Sequence, residues 1–479
     1  MNNSAPSDST PQTTYLYQEL EQSFREEIKN GQRAPGERMP SVRELCHAKS
    51  VSKSTVLTTY SRLEADGLIE ARARSGYFVS APEQAPANLQ TPATSQPKLN
   101  PVPVSAGQVL LDIMQQGAAF DLMPSADRGH YEGNENLRRS LSRALRRQDH
   151  NQQNYYDEPQ GDPELRASLA LRMGHGGGQH HGDDLVITSG CQHALLLALM
   201  ATTTPGGVVA VESPGFYGVF QLLESLGLQA LEIPSSAQTG ISPDALELAL
   251  QHWDVQALVI SPCYATPTGS CMPDSNKQRL LTLAQSRSIA IIEDDIYGEL
   301  HFGLQRPRTL YSYDDSGSVL LCSSFSKSLS RDLRLGWIAP GKYKDKIKHL
   351  KLVTSLATSQ TLQQGMTEFL QQGNYDRHLR QRRQQLKLQC RQLQQQIPQL
   401  LPQAISCSQP EGGLALWLEL PESINTLKLY NRAREQGLIL TPGRLFTAQE
   451  RYSNFLRMSF AHPLTDESAQ KLQQLIPQH

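Results

Sequence analysis

Several side chains in this sequence stand where an apolar run gives out, and together they describe one piece of chemistry. Lys327 lies in SSFSKS, just past the run SVLLCSS; a lysine there can form a Schiff base with an aldehyde. Asp294 closes the run IAIIED. An acid at the buried end of a strand is costly unless a cation meets it, and a protonated ring nitrogen is such a cation. Tyr297, three residues on, can hydrogen-bond a phenolic oxygen. LVITSGCQHALLLALM reads as strand, glycine turn and apolar helix, so backbone N–H groups of Gly190, Cys191 and Gln192 point at an anion. Ser324, Ser326 and Arg334 complete a phosphate cradle, the arginine through bidentate charge-assisted bonds. Phe216, in ESPGFYGV, is placed to stack on a flat ring, and Arg457, in FLRMSF, offers a fork to a carboxylate.

Singly, each has a plainer reading: a lysine between serines is usually at the surface, and a glycine turn before a helix is usually structural. The combination decides. Aldehyde, cationic ring nitrogen, phenolic oxygen and phosphate belong to one molecule, so pyridoxal 5'-phosphate (PLP) is the expected cofactor.

A second chemistry sits near the start of the chain. Ser52, Lys53, Ser54 and Thr55 open a helix with short polar and basic residues, the composition that reads base edges in a major groove. Arg43, Arg72 and Arg74 supply charge for phosphates, and Gly76 lets the backbone approach DNA without a Cβ. The alternative is a domain used for protein contacts, its basic residues merely solvated.

These residues require particular elements. Between Thr14 and Ser80, Leu16, Leu20, Phe24 and Ile28 recur every four residues and predict one helix stripe. Ser41-Val42-Arg43-Glu44 is a capping box opening a second helix. A third starts at Ser52, with Val56, Tyr60 and Leu63 inward, and Leu68–Val79 reads as a hairpin with Gly76 near its tip. The result is a winged helix-turn-helix. Farther on, VVAVE (208–212), ALVIS (257–261), IAIIED (289–294) and SVLLCSS (318–324) alternate with amphipathic helices. That pattern predicts an α/β domain with a mostly parallel sheet. The last hundred residues mix helices and short strands, as in a smaller α+β lobe.

Between the two lies APEQAPANLQTPATSQPKLNPVPVSAG, residues 81–107, rich in Pro, Ala, Gln and Thr. It reads as a flexible linker reaching on the order of 70–80 Å when extended. The expected domains are therefore a disordered start (1–13), the head (14–80), the linker (81–107) and the body (108–479).

Composition sets the limits. Of 479 residues, 38% are hydrophobic and 19% charged, with a net charge of −2, so any DNA site must be a local patch. The seven cysteines form no C-x-x-C pair, which with the absence of a leader or long apolar run points to a cytoplasmic protein without a membrane span. GHGGGQHHG (174–182) has no acid or cysteine at a spacing useful for a metal and reads as a mobile loop, so no metal site is expected. His378–Gln396 reads as a solvated basic helix.

The segment PGERMPSVREL…SVSKSTVLTTYSRLEADGLIEARARSGYFV resembles the GntR family of winged-helix regulators. The resemblance places Arg43, Lys53, Ser54, Thr55 and Gly76 where that family contacts its operator. YYDEPQGDPELR, TSGCQHAL, ESPGFYG, TPTG, IIEDDIYGEL, SSFSKSLSRDLRLGW and FLRMSF resemble class I/II aminotransferases in order and spacing, from Leu110 to Pro477. The resemblance implies a PLP fold type I body, with Lys327 as the Schiff-base lysine, Asp294 at the pyridine nitrogen and Tyr297 at the phenolic oxygen. It places Gly190, Cys191, Gln192, Ser324 and Arg334 around the phosphate and Arg457 at a substrate carboxylate.

A GntR head on such a body is the MocR architecture, and SGYFV, FYG, SSFSK and YGEL resemble its YdcR-type branch. That implies a head-to-tail homodimer on a double-stranded DNA operator, sensing an amino acid or amine through the PLP aldimine. Two alternatives stay open: a working aminotransferase with an appended head, and a regulator that senses PLP itself to control vitamin B6 supply. Two departures stand out. The family's N-P-T-G asparagine is Thr266 here, a shorter donor, and its P-G before the phosphate arginine is Arg331-Asp332.

Overall fold

The computed structural model describes residues 16–65, 68–72, 75–80, 89–104, 113, 132–148 and 156–475. The chain divides into two compact units, Met1–Ala85 and Pro86–His479.

In the first unit, helices Leu16–Lys29, Val42–Lys49 and Lys53–Ala65 precede an antiparallel hairpin of β1 (Ile69–Arg72) and β2 (Gly76–Val79). The capping box forms: Glu44 N–H donates to Ser41 Oγ at 3.2 Å and Ser41 N–H to Glu44 Oε2 at 2.8 Å. Ser52 starts the third helix by accepting from Thr55 N–H at 3.1 Å. Phe24, Met39, Leu45, Val56, Tyr60, Leu63, Ile69 and Val79 make the core. Leu16 departs from the expected stripe. It lies at the first turn of its helix and is 61% exposed. The wing also gains an edge, because Arg38 bridges Phe78 and Met39 N–H donates to Tyr77 O at 2.8 Å.

The second unit is built on a sheet ordered β3 (Val102–Pro103), β6 (Gln229–Ser236), β5 (Val208–Ser213), β8 (Val255–Ile260), β9 (Ala290–Asp294), β10 (Val319–Ser324), β11 (Gly336–Ala339) and β4 (Val186–Thr188). From β6 to β10 every pairing is parallel; β11 runs against both its neighbours. Strands of this kind are apolar on both faces because helices cover both. Val209, Ala257, Ile292 and Leu320 pack to one side, Ala210, Leu258, Ile291 and Val319 to the other. A second sheet, β12 (Ser406–Cys407), β13 (Ala415–Glu419), β15 (Phe455–Ser459) and β14 (Thr441–Pro442), is wholly antiparallel and forms the small lobe.

Three expectations need correction. Much of the segment read as a flexible linker is docked: β3 pairs antiparallel with β6, and Ser95 N–H donates to Ser235 O at 3.1 Å. Trp253 Nε1 donates to Leu99 O at 3.0 Å, and Cys407 N–H to Gln90 O at 2.9 Å. The segment needs no large side chains to hold, because its backbone satisfies a sheet edge. Residues 81–88 and 105–107, like the N-terminal 1–13, lie outside the described residues. The glycine-histidine stretch expected to be mobile is packed, with Thr309 N–H on Gly176 O at 2.9 Å and the His180 ring Nε2 bonded to Gly177 O at 2.8 Å. The helix Asn374–Leu400 is only half solvated. It buries Leu386, Cys390 and Leu393, while Arg383 Nη2 donates to Glu299 Oε2 at 2.9 Å.

Candidate functional site

Ligands of open α/β sheets bind beyond the carboxyl ends of parallel strands, and the expected residues stand there. Asp294 ends β9 and is 3% exposed. Burial pushes its carboxyl up to about 6, against bonds from the Cys191 thiol and Ile296 N–H and the nearby Lys327 charge that pull it down. Cys191 Sγ donates to Asp294 Oδ1 at 3.4 Å and Ile296 N–H to the same oxygen at 3.2 Å. The sequence reading gave Cys191 only a backbone role. Its side chain is the missed feature, and no spacing rule would have paired residues 103 positions apart.

Lys327 follows β10 and is partly buried. Its loop is fixed from below: Phe325 is fully buried between Trp337 and Tyr375, with ring centroids 5.1 and 5.4 Å away. Ser328 Oγ meets Tyr375 Oη at 2.6 Å, and Leu329 N–H closes one turn onto Phe325 O at 2.9 Å. The lysine thus sits between two anchored neighbours, and its charge reaches Asp294.

The phosphate cradle is present as a shape. Gly190 has φ +87°, and a Cβ there would lie 2.8 Å from Arg334 Nη2. Only glycine leaves that approach open. Arg334 Nη2 donates to Ser189 O at 3.3 Å. Gly190 starts the helix Cys191–Thr202, whose first N–H groups have no intrahelical acceptor. Ser326 N–H donates to Ser324 Oγ at 3.3 Å, whereas Ser326 Oγ is buried without a partner. A helix N-terminus approached by a guanidinium, with an orphaned buried hydroxyl on the lysine loop, fits a phosphate, and a buried acid with a raised pKa fits a protonated pyridine.

Tyr297, Thr266 and Arg457 come together. Arg457 Nε donates to Thr266 Oγ1 at 3.3 Å, and Thr266 also hydrogen-bonds Tyr297. Burial raises the Tyr297 phenol, opposed by the charges of Arg457 and Arg331. Thr266, the departure at the asparagine position, therefore bridges Tyr297 and Arg457. Arg331, the other departure, contributes a second positive charge there, acting also on Tyr217. Tyr217 is a further site residue the sequence reading passed over, although FYG offered it beside Phe216. Phe216 packs edge-on against Tyr217, centroids 4.6 Å apart. It also lies against Gly218, whose backbone oxygen accepts from Gln192 Nε2 at 2.9 Å. Phe216 and Gln192 thus adjoin.

In the first unit, Arg43, Ser52, Lys53 and Ser54 are exposed. The Ser52 hydroxyl meets Ser54 Oγ at 2.7 Å and Thr55 Oγ1 at 2.8 Å, so these hydroxyls also hold the helix start. Gly76 has φ +101°, and Arg38 lies 3.6 Å from where its Cβ would stand. Arg38, exposed on the wing, was missed because it precedes the helix-turn-helix. Arg74 and the Arg72 side chain lie outside the described residues.

Residues 16–79 match the bacterial regulatory proteins of the gntR family, and residues 128–475 match aminotransferase class I and II. Over nearly its whole length the chain is similar to two uncharacterised HTH-type transcriptional regulators of Escherichia coli (strain K12). YjiR is 38% identical over 464 residues, covering 96% of this chain and 97% of the relative. YdcR is 34% identical over 468 residues, covering 96% and 98%. The chain belongs to the MocR-type regulators of the GntR family. The MocR-type body is also similar to the crystal structure of LysN, an α-aminoadipate aminotransferase from Thermus thermophilus complexed with N-(5'-phosphopyridoxyl)-L-leucine. That likeness has a TM-score of 0.68 at 26% identity and covers 77% of this chain and 93% of that one. A class I and II aminotransferase body implies PLP, and a gntR head implies DNA.

Among the described residues no helix is long and apolar enough to cross a membrane, and no group of three His, Cys, Asp or Glu could hold a metal ion.

Proposed function

We propose that this protein is a cytoplasmic, PLP-dependent transcription regulator whose body senses an amino acid or amine. The observation that carries it is one body holding both ends of such a ligand. Lys327 and Asp294 stand at neighbouring strand ends, and Arg457 joins Thr266 and Tyr297 nearby. PLP supplies an aldehyde carbon at which a ligand amine can replace the lysine. Asp294 would then hold the ring nitrogen, Tyr297 and Thr266 the phenolic oxygen, and Phe216 the ring face. Gly190, Cys191, Gln192, Ser324, Ser326 and Arg334 would hold the phosphate. Arg457, helped by the charge of Arg331, would take a ligand carboxylate, which favours acids over simple amines.

In the head, Arg43, Ser52, Lys53, Ser54, Thr55, Arg72, Arg74 and Gly76 would contact DNA, with Arg38 beside Gly76. A head-to-tail homodimer would present two heads to two half-sites. Ligand binding would shift the body between two states of different DNA affinity.

The test is DNA selected by the protein itself from a random duplex library, with affinity measured by anisotropy across a panel of amino acids and amines. The reading requires that at least one ligand change the affinity of the PLP-loaded protein and not that of Lys327→Ala. If no ligand does, while a keto acid is steadily converted to an amino acid, the body is a working aminotransferase. If PLP alone changes DNA affinity, PLP itself is the signal.

A further inference from the structure

The loop that carries Thr266 is bounded by two cysteines. It runs CYATPTGSC from Cys263 to Cys271, and its ends face each other as an antiparallel bridge pair. Met272 N–H donates to Pro262 O at 2.8 Å, so a hydrogen bond flanks the pair rather than joining it. In such a pair the Cα atoms are typically about 4.5 Å apart and the side chains lean together. A disulfide spans about 4.4–6.8 Å between Cα atoms. The two thiols are close enough to perturb each other's ionisation, and Cys263 Sγ donates to Arg308 O at 3.8 Å.

Their environments are unequal. Cys263 is 1% exposed, while Cys271 is partly open to solvent. Cys263 holds the Cys271 thiol below its ordinary value against the effect of burial, and the Lys277 charge helps; Cys263 is pushed up. Lys277 is fixed there by Arg308 O at 2.7 Å and Asp274 Oδ1 at 3.3 Å. Cys271 is therefore the more accessible and the more readily ionised of the two. Cys191, Cys322, Cys390 and Cys407 are all buried, which shields them from an oxidant in solution.

The loop is also a seam. Its Gly269 lies so close to Pro410 that a Cβ would stand 2.5 Å away, and the Tyr264 ring covers Gly412 as tightly, at 2.6 Å. Thr266 accepts from Arg457 of β15. All three contacts join the large sheet's loop to the small lobe.

We propose that Cys263 and Cys271 form a reversible disulfide, made by a hydroperoxide and undone by a dithiol, that locks the Thr266 loop at the seam. The Cys271 sulfur attacks one oxygen of hydrogen peroxide; the O–O bond breaks, giving a sulfenic acid and one water. The Cys263 sulfur then displaces that hydroxyl, which leaves with the Cys263 proton as a second water. Two electrons pass from the thiols to the peroxide, and the protein loses two hydrogens.

The test uses the reduced, PLP-loaded full chain treated with hydrogen peroxide, then alkylated, digested and mapped by mass spectrometry. We expect one cross-linked peptide pair containing Cys263 and Cys271, reversed by dithiothreitol and absent from Cys263→Ser and Cys271→Ser. Cys263→Ser is expected to carry Cys271 onward to sulfinic acid, for want of its partner. The same oxidised protein, titrated with an amino acid that shifts its visible spectrum, should respond more slowly than the reduced protein. Free, alkylatable thiols at both positions after peroxide would overturn the proposal. So would a cross-link from Cys271 to any other cysteine, or an unchanged spectral response in fully cross-linked protein.

Discussion

The two units place their working residues oppositely. In the head, Arg38, Arg43, Lys53 and Ser54 face solvent, while a separate set around Val56, Tyr60 and Leu63 holds the fold. In the body the candidate site groups are themselves interior: Asp294, Tyr297, Thr266 and Arg457 are each less than a tenth exposed. Exposed charge costs little to keep, so the head can separate binding from stability. A buried acid is costly until its counter-charge arrives. On the proposed reading PLP is that counter-charge, and loading the body with it should tighten the fold by mass action. The head has no comparable dependence.

Lys327→Ala tests the body's side most severely. We expect complete loss of the visible absorption band of bound cofactor, with far-UV circular dichroism unchanged. A retained band would move the attachment point elsewhere.

Arg43→Ala tests the head's side. DNA affinity should fall about tenfold or more, on the order of 1–3 kcal/mol, with a shallower salt dependence. Cofactor uptake and urea midpoint should stay as in the parent, since exposed substitutions typically shift stability by about 0.5 kcal/mol or less. A matching loss of stability would erase the distinction between the units.

The buried acids predict a pH signature confined to the body. Burial raises Glu212 to about 8, and Asp294 is raised to about 6. Both values exceed those of the unfolded chain, so between pH 4.5 and 8 the folded apoprotein holds protons that the unfolded chain has released. Stability from these groups is complete below the unfolded values and is lost as pH rises through the folded ones. In urea unfolding of the apoprotein, the stability of the parent relative to Glu212→Gln should fall from pH 5 to 8. A parent–variant difference that stays constant or rises over that range would contradict the assignment.

The last expected effect is at the docked segment. Ser95 Oγ donates to Ser213 O and accepts from Ser235 N–H at 2.8 Å. Ser95→Ala should cost roughly 1–3 kcal/mol, because a buried N–H and a carbonyl each lose a partner. No measurable loss would mean that the segment rests on the body without contributing to its fold.

The same contrast explains what the sequence could reveal. Strand runs, the capping box at Ser41 and the strand-end positions of Asp294 and Ser324 are local patterns, and each is legible in a few consecutive residues. Contacts made across distance are not. The Cys191 thiol on Asp294, Arg38 beside Gly76 and the Thr266–Arg457 bond all join residues far apart in the chain or outside the expected motif. Residues 89–104 misled for another reason: composition reports how much apolar surface a segment can bury, whereas this one is held chiefly through its backbone.

The central claim is that the body reads a ligand rather than turning it over. The direct measurement is the visible spectrum of the PLP-loaded protein, titrated with amino acids and amines and then supplied with a keto-acid acceptor. The account predicts a saturable band shift with some ligand and no accumulation of a new amino acid. Sustained conversion of the acceptor would contradict it, and the body would then be an enzyme.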